Sequence, residues 1–335
     1  MGLPGFRTVN FQTVYDTNTA KSSQNLHIRF ADGIIKARVT ERSCAVQGDL
    51  FDNCSLCLTQ NNVFALEICG NLQQGELLLI KDNNAKKLSF ENNLGKKEYK
   101  LIEKDGTALV ALHRNAPKKV KFNAVSGTDY VTHYEIDVAP TKWDVQRISG
   151  VAQSKVTPDK NAAAEIKREQ QDVGRALTHY SVYADWNNGF ILPVEGRISG
   201  RFGNQRIFNG VPKNPHTGTD IAAPEGTPVK ASGDGKVILS GKDYFYTGNM
   251  VIIDHGHGLQ TIYAHLKEAK VKEGDFVSKG DIIGIVGKTG RATGAHLHWG
   301  ASLNNVRFNP HSLLDIESKT CQEINGKQMG DEAEK

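Results

Sequence analysis

Apolar and polar positions alternate in short runs along most of the chain, and helical spacing is rare. Residues 25–40, "NLHIRFADGIIKARVT", alternate on both sides of Asp32-Gly33, a favoured tight-turn pair, and predict a β-hairpin. The cysteine-bearing stretch that follows groups with it, so residues 1–72 read as a small stapled β module. "QQGELLLIKDNN", "GTALVALHRNAP" and "THYEIDVAP" are alternating runs separated by Asn, Gly, Asp and Pro, and predict a β-sandwich-like domain over 73–150. One stretch breaks the rhythm: "TPDKNAAAEIKREQQDVGRAL" is rich in helix formers, with Thr157 placed as N-cap and Pro158 at the first helical position. Its apolar stripe is too thin for an independent domain, and 151–185 reads as a helical connector. After Trp186 short β-branched runs lie between glycine-containing turns, which predicts an all-β domain over 186–316. The polar residues 317–335 read as a mobile tail. The expected fold class is mainly β and multidomain.

Composition narrows the function classes. The net charge is +4, the basic residues are spread out, and no basic stripe or RNA-binding signature occurs, which argues against nucleic acid as a partner. Mild positive charge suits an anionic polymer such as a cell wall. No stretch is apolar for long enough to span a bilayer, and the opening "MGLPGFRTVNFQ" has neither the basic nor the apolar region of a signal peptide. Either the protein is cytosolic, or an export signal has been removed from it. Cysteine usage favours export. Cys44, Cys54, Cys57 and Cys69 cluster while Cys321 stands apart, and two disulfides within the cluster are favoured over a metal knuckle, whose paired C-x-x-C spacing is missing.

The candidate chemistry lies in histidines. In "GAHLHWG", His296 and His298 alternate, so on a strand both imidazoles project from one face while Leu297 points into a core. "NPHTGTD" supplies His216 and Asp220. On a straight strand these would stand about 13 Å apart, too far for one ion held at roughly 2 Å from each ligand. The chain must therefore bend there, and Pro215 and Gly218 allow it. Two histidines and an aspartate make a three-ligand zinc set with the fourth position left for water, and one histidine of the alternating pair remains for proton transfer. "TIYAHL" adds His265, on a run that predicts a shared face for Tyr263 and His265. "DHGHG", with His255 and His257, reads as a turn between the strands "MVIID" and "LQTIYAHL".

"HTGTD", "YAHL" and "GAHLHWG", in this order within a continuous match from "FILPVEGRISGRFG" to "NPHSLL", resemble the motifs of the lysostaphin/LytM-type zinc metalloendopeptidases, which cut peptide bonds in peptidoglycan. The resemblance implies that His216, Asp220 and His298 hold Zn2+, with His265 and His296 beside the open position as the catalytic pair. His296 is taken as base and His265 as oxyanion or proton donor, the reverse assignment being nearly equivalent. It also implies small residues beside the cut and glycine-rich groove walls, for which "TGNM" and "KTGRATG" are suited. Upstream segments resemble those of exported Gram-negative members. They imply a periplasmic or otherwise exported protein, a D-Ala to meso-diaminopimelate cross-link as substrate, peptidoglycan peptide stems and a regulatory protein as partners, and autoinhibition relieved by truncation near Trp186. Two rival readings are a non-catalytic cell-wall-binding protein or amidase activator of the same fold, and a biotinyl or lipoyl carrier suggested by "VKEGDFVSKGDIIGIVG". The first is opposed by the complete donor set, the second by the missing carrier-lysine tripeptides.

Overall fold

The computed structural model describes residues 25–30, 33–38, 65–82, 85–92, 95–100, 106–126, 131–182, 185–314, 316, 320–325 and 327–328. Met1–Phe64 and Ala65–Lys335 are separate compact units. In the first, β1 (Asn25–Phe30) and β2 (Gly33–Arg38) form the expected antiparallel hairpin, Phe30 opposite Gly33. Cys44, Cys54 and Cys57 lie outside the described residues.

The second unit opens with β3 (Ala65–Cys69), β4 (Leu77–Lys81), β5 (Ala85–Asn92), β6 (Gly95–Lys100), β7 (Thr107–Ala111), β8 (Lys119–Ser126) and β9 (Val131–Asp137). β10 (Val145–Ile148) leads to helices α1 (Gln153–Val156) and α2 (Lys160–Leu177). There follow β11 (Arg197–Gly200), β12 (Gln205–Phe208), β13 (Val211–Pro212), β14 (Gly218–Ala222), β15 (Pro228–Lys230), β16 (Gly235–Tyr244) and β17 (Gly248–Asp254). Next come β18 (Leu259–Ala269), β19 (Phe276–Val277), β20 (Ile282–Val286), β21 (His296–Leu303), β22 (Val306–Phe308), β23 (Cys321–Asn325) and β24 (Lys327–Gln328). The chain is thus mainly β.

Two antiparallel sheets, in the orders β23-β3-β4-β7 and β24-β9-β8-β5-β6, make up the upstream region. β9 alternates exposed and buried residues, as a strand covered on one face must, whereas β4 and β7 are buried almost throughout. Three expectations are corrected here. β3 belongs to this second unit rather than to a module ending at residue 72. Cys69 pairs with Cys321 across the β3–β23 register, so two disulfides confined to the upstream cluster cannot form. The same pairing puts residues 321–325 and 327–328, expected in a mobile tail, into strands at the edges of both sheets. A contact closed over 252 positions leaves no local trace in the sequence.

The helix also begins later than its motif suggests. Asp159, not Thr157, caps α2, its carboxylate accepting the Ala162 amide at 2.9 Å. Thr157 instead closes α1. Ala176 and Leu177 pack on Met250, Ile252, Ile262 and Ala264.

The main sheet runs β11-β14-β21-β18-β17-β16-β19. Directly opposed residues share a face. Asp220 and Ala264 both oppose His298, and Ile262 opposes Gly300 and Ile252. Helix α2 and the Asp220–His298 pair therefore occupy the same face, side by side. Tyr263, opposite Trp299, belongs to the other face, where both are fully buried. Upstream residues clamp this domain at several points. β10 pairs in parallel with β12, Glu76 accepts from Asn309 and Ser312, and the Trp143 ring lies where a side chain on Gly203 would stand.

Candidate metal centre

β21 places His296 and His298 on one face and buries Leu297 and Trp299 completely on the other, as alternation requires. His216 comes from the segment before β14, which turns away from the sheet: its amide donates to the Asn204 carbonyl and its own carbonyl accepts from Gly203, each at 2.9 Å. The bend brings the His216 Nε2 within 3.1 Å of Asp220 Oδ1. His298 Nδ1 lies 3.0 Å from that oxygen and 3.0 Å from His216 Nε2. Donor atoms bound at about 2.0–2.2 Å to one tetrahedral zinc stand roughly 3.3 Å apart. Three lone-pair atoms thus crowd one point at nearly the spacing that a small divalent cation needs, and the residues fit the ion.

His265 and His296 flank this cluster, their ring centroids 4.7 Å apart. Both commit Nδ1 to backbone carbonyls, His265 to Thr289 and His296 to Gly294, each at 2.8 Å. That fixes the tautomer and leaves each Nε2 with a lone pair. His296 Nε2 is 3.7 Å from Asp220 Oδ1.

The expectation that Tyr263 and His265 share a face is corrected. Regular alternation would send His265 to the Trp299 side. Instead it adopts φ +62°, a left-handed conformation uncommon for a residue with a Cβ, where the β17–β18 register shifts. The bulge turns the imidazole to the Asp220–His298 face, its ring 6.0 Å from that of His298. Tyr263 keeps the other face, its hydroxyl accepting from Ser232 N at 2.8 Å. His255 and His257 fall in the β17–β18 connection as expected. His255 is buried between Asp234 O and Thr261 Oγ1.

Three supports surround the cluster, of which only Gly218 lies within a motif. Arg206 pairs with Asp220 Oδ2, leaving Oδ1 for the cluster. The Arg201 carbonyl accepts from His216 Nδ1 at 3.0 Å. Such outer partners orient ligands and raise their basicity. Gly218 leaves room for the His298 ring, which a Cβ would meet at 2.8 Å. Arg206 is joined to its partner only through the β12–β14 fold, so no local spacing could reveal it.

Burial pushes the His298 imidazole down to about 4 and that of His265 to about 3. Burial likewise lowers His216, against the pull of Asp220. Burial alone would raise the Asp220 carboxyl, yet His216 and His298 beside it hold it well below the usual carboxylate range. At neutral pH the site therefore presents neutral imidazoles and a carboxylate, the forms that bind metal. Buried His255 is also pushed down to about 4. A histidine depressed on folding binds fewer protons folded than unfolded, so its stabilisation is full above the unfolded value, about 6.5, and is lost as pH falls toward the folded value. Thermal unfolding of the metal-free chain is accordingly expected to shift to lower temperature between pH 7 and pH 5. Equal midpoints at the two values would contradict the burial argument.

Fold and donor set together define a class of β-sheet domain built around a His-Asp-His cluster. Residues 214–310 match the sequence profile of Peptidase family M23. The chain is 44% identical over 161 residues to the peptidoglycan DD-endopeptidase ShyA of Vibrio cholerae serotype O1, covering 46% of this chain and 35% of that protein. It is 50% identical over 98 residues to the DD-carboxypeptidase/endopeptidase Mpg of Neisseria meningitidis serogroup B, covering 29% of this chain and 22% of Mpg. The matched part thus spans well under half of either relative. A crystal structure assigned to peptidase M23 from Pseudomonas aeruginosa superposes with a TM-score of 0.58 at 28% identity, over 74% of this chain and 97% of that one.

Proposed function

We propose that this chain is a zinc-dependent endopeptidase that hydrolyses the peptide cross-links of peptidoglycan outside the cytoplasm, with D-Ala to meso-diaminopimelate as the bond cut. The observation that carries this reading is the convergence of His216 Nε2, Asp220 Oδ1 and His298 Nδ1 within 3.0–3.1 Å, with two further imidazoles at its edge. The names of ShyA and Mpg support the substrate class. Among the described residues no helix is long and apolar enough to cross a membrane.

His216, Asp220 and His298 would hold the zinc, which when bound supplies Lewis acidity and a water of lowered pKa. His296, whose side chain keeps 15% exposure, accepts the water proton at Nε2 and returns it to the leaving amine. His265, buried with Nδ1 donating to Thr289 O and its ring 4.7 Å from that of His296, offers a second Nε2 lone pair beside the cluster, and would steady the charge on the scissile carbonyl oxygen only in its protonated form. The upstream segment lies on the same sheet face and limits access to the site. Cutting the chain at Trp186 would strip α2 from Met250, Ile252, Ile262 and Ala264, so release of the site and loss of stability come together.

Digestion of purified sacculi by the zinc-loaded chain, followed by muropeptide analysis, is expected to convert cross-linked dimers to monomers. Intact dimers in the presence of stoichiometric zinc would instead support a non-catalytic cell-wall-binding protein.

A further inference from the structure

The sheet face that carries the metal cluster continues beyond it. Next to His298 along that face come Gly300 and Ser302, and opposite Ser302 stands Arg307 of β22. The Arg307 guanidinium folds back over Gly300, where a Cβ would meet its Nη1 at 3.5 Å. That nitrogen is sealed from bulk solvent and has no hydrogen-bond partner among the described residues. Arg307 as a whole is only partly buried, and a sealed donor left without a partner costs free energy.

Arg307 borders a cavity of ≈ 520 Å³ between the main sheet and the upstream loop after β7, with Arg114, Asn115, Asn214, His216 and Asn304 also on its wall. Arg114 is held in place by the Gly203 carbonyl and the Trp143 ring. No aspartate or glutamate lines the cavity among the described residues, so two guanidinium groups set its potential. His216 belongs both to this wall and to the metal cluster, which makes the cavity an extension of the reaction site.

We propose that this cavity is a carboxylate-binding subsite, in which Arg307 and Arg114 hold a free carboxylate of the stem peptide while the cross-link lies at the His-Asp-His cluster. The assignment rests on the peptidoglycan reading for its ligand, and on the cavity alone for its charge preference. Arg307 acts here as a binding and positioning residue, and burial as the sole influence pushes its guanidinium down to about 10. An anion docked against it would restore the ordinary value.

The test uses the zinc-loaded full chain and two uncross-linked stem tetrapeptides, one with free carboxylates and one amidated, measured by isothermal titration. Arg307→Gln is expected to weaken the free-carboxylate peptide about tenfold, as loss of a charge-assisted hydrogen bond should. Arg307→Lys should recover part of the loss, and the amidated peptide should bind wild type and variant alike. Unchanged zinc content and an unchanged Tm in Arg307→Gln would exclude misfolding as the cause of weaker binding. Equal affinities of wild type and Arg307→Gln for the free-carboxylate peptide would overturn the subsite. So would equally tight binding of the amidated peptide, or of inorganic phosphate. Sacculus digestion reports separately on the peptidase: carboxylate-selective binding without cleavage would retain the subsite and sink the enzyme reading, and cleavage without selectivity would do the reverse.

Discussion

Replacing His216 with alanine is expected to abolish zinc retention and reduce cross-link hydrolysis to background. His216 Nε2 is one of three donor atoms within 3.0–3.1 Å, and its Nδ1 is fixed by the Arg201 carbonyl, so the substitution removes a preorganised ligand rather than a mobile one. Loss of an outer-shell partner alone costs about 10–100-fold in metal affinity, and loss of the ligand itself should exceed that. Without the ion, the attacking water would lose the acidity that a bound metal supplies. Zinc by elemental analysis, together with release of monomeric muropeptides, checks both halves. A His216→Ala protein that kept stoichiometric zinc would show the donor set to be wrong, and one that lost zinc but still cleaved would remove the metal from the reaction.

The second large effect separates the two remaining imidazoles from the ligand set. His265→Ala and His296→Ala are each expected to retain zinc while turnover falls by about 10²–10⁴-fold, the range for loss of a positioned proton-transfer group. KM should change little, because both side chains act where charge moves in the transition state. For His265 the outcome also examines the bulge: a side chain at φ +62° is held there against its own preference, and glycine at that position should relax the backbone. His265→Gly is therefore expected to be more stable than His265→Ala and equally inactive. Near-normal turnover in both alanine variants would leave the two imidazoles without a role in the chemistry.

How far the site can be read from the chain depends on the distance over which each relation acts. The alternation of His296 and His298 is a relation between neighbours, and the strand that contains them realises it directly. The bend between His216 and Asp220 follows from reach alone, because a straight strand would separate them too widely. His265 is different. Its motif suggests a regular strand, and pairing of β18 with β17, β20 and β21 determines where the register slips and to which face the ring turns. The same limit explains the N-cap, where both Thr157 and Asp159 have suitable chemistry and only the path of the helix selects Asp159.

By itself, the sequence determined a mainly β chain and its helical interruption, because these rest on periodicity at short range, while motif chemistry and a family resemblance singled out the four histidines and one aspartate as candidates. Tertiary structure alone decided that Arg206 steadies Asp220, that Cys69 meets Cys321, that α2 shares a face with the metal cluster, and that Arg307 closes over Gly300 beside a cavity. Each of those relations joins residues brought together by strand register and sheet packing. Burial then supplies what the isolated motifs lack, by setting the charge states of the imidazoles and leaving a guanidinium nitrogen in need of a partner.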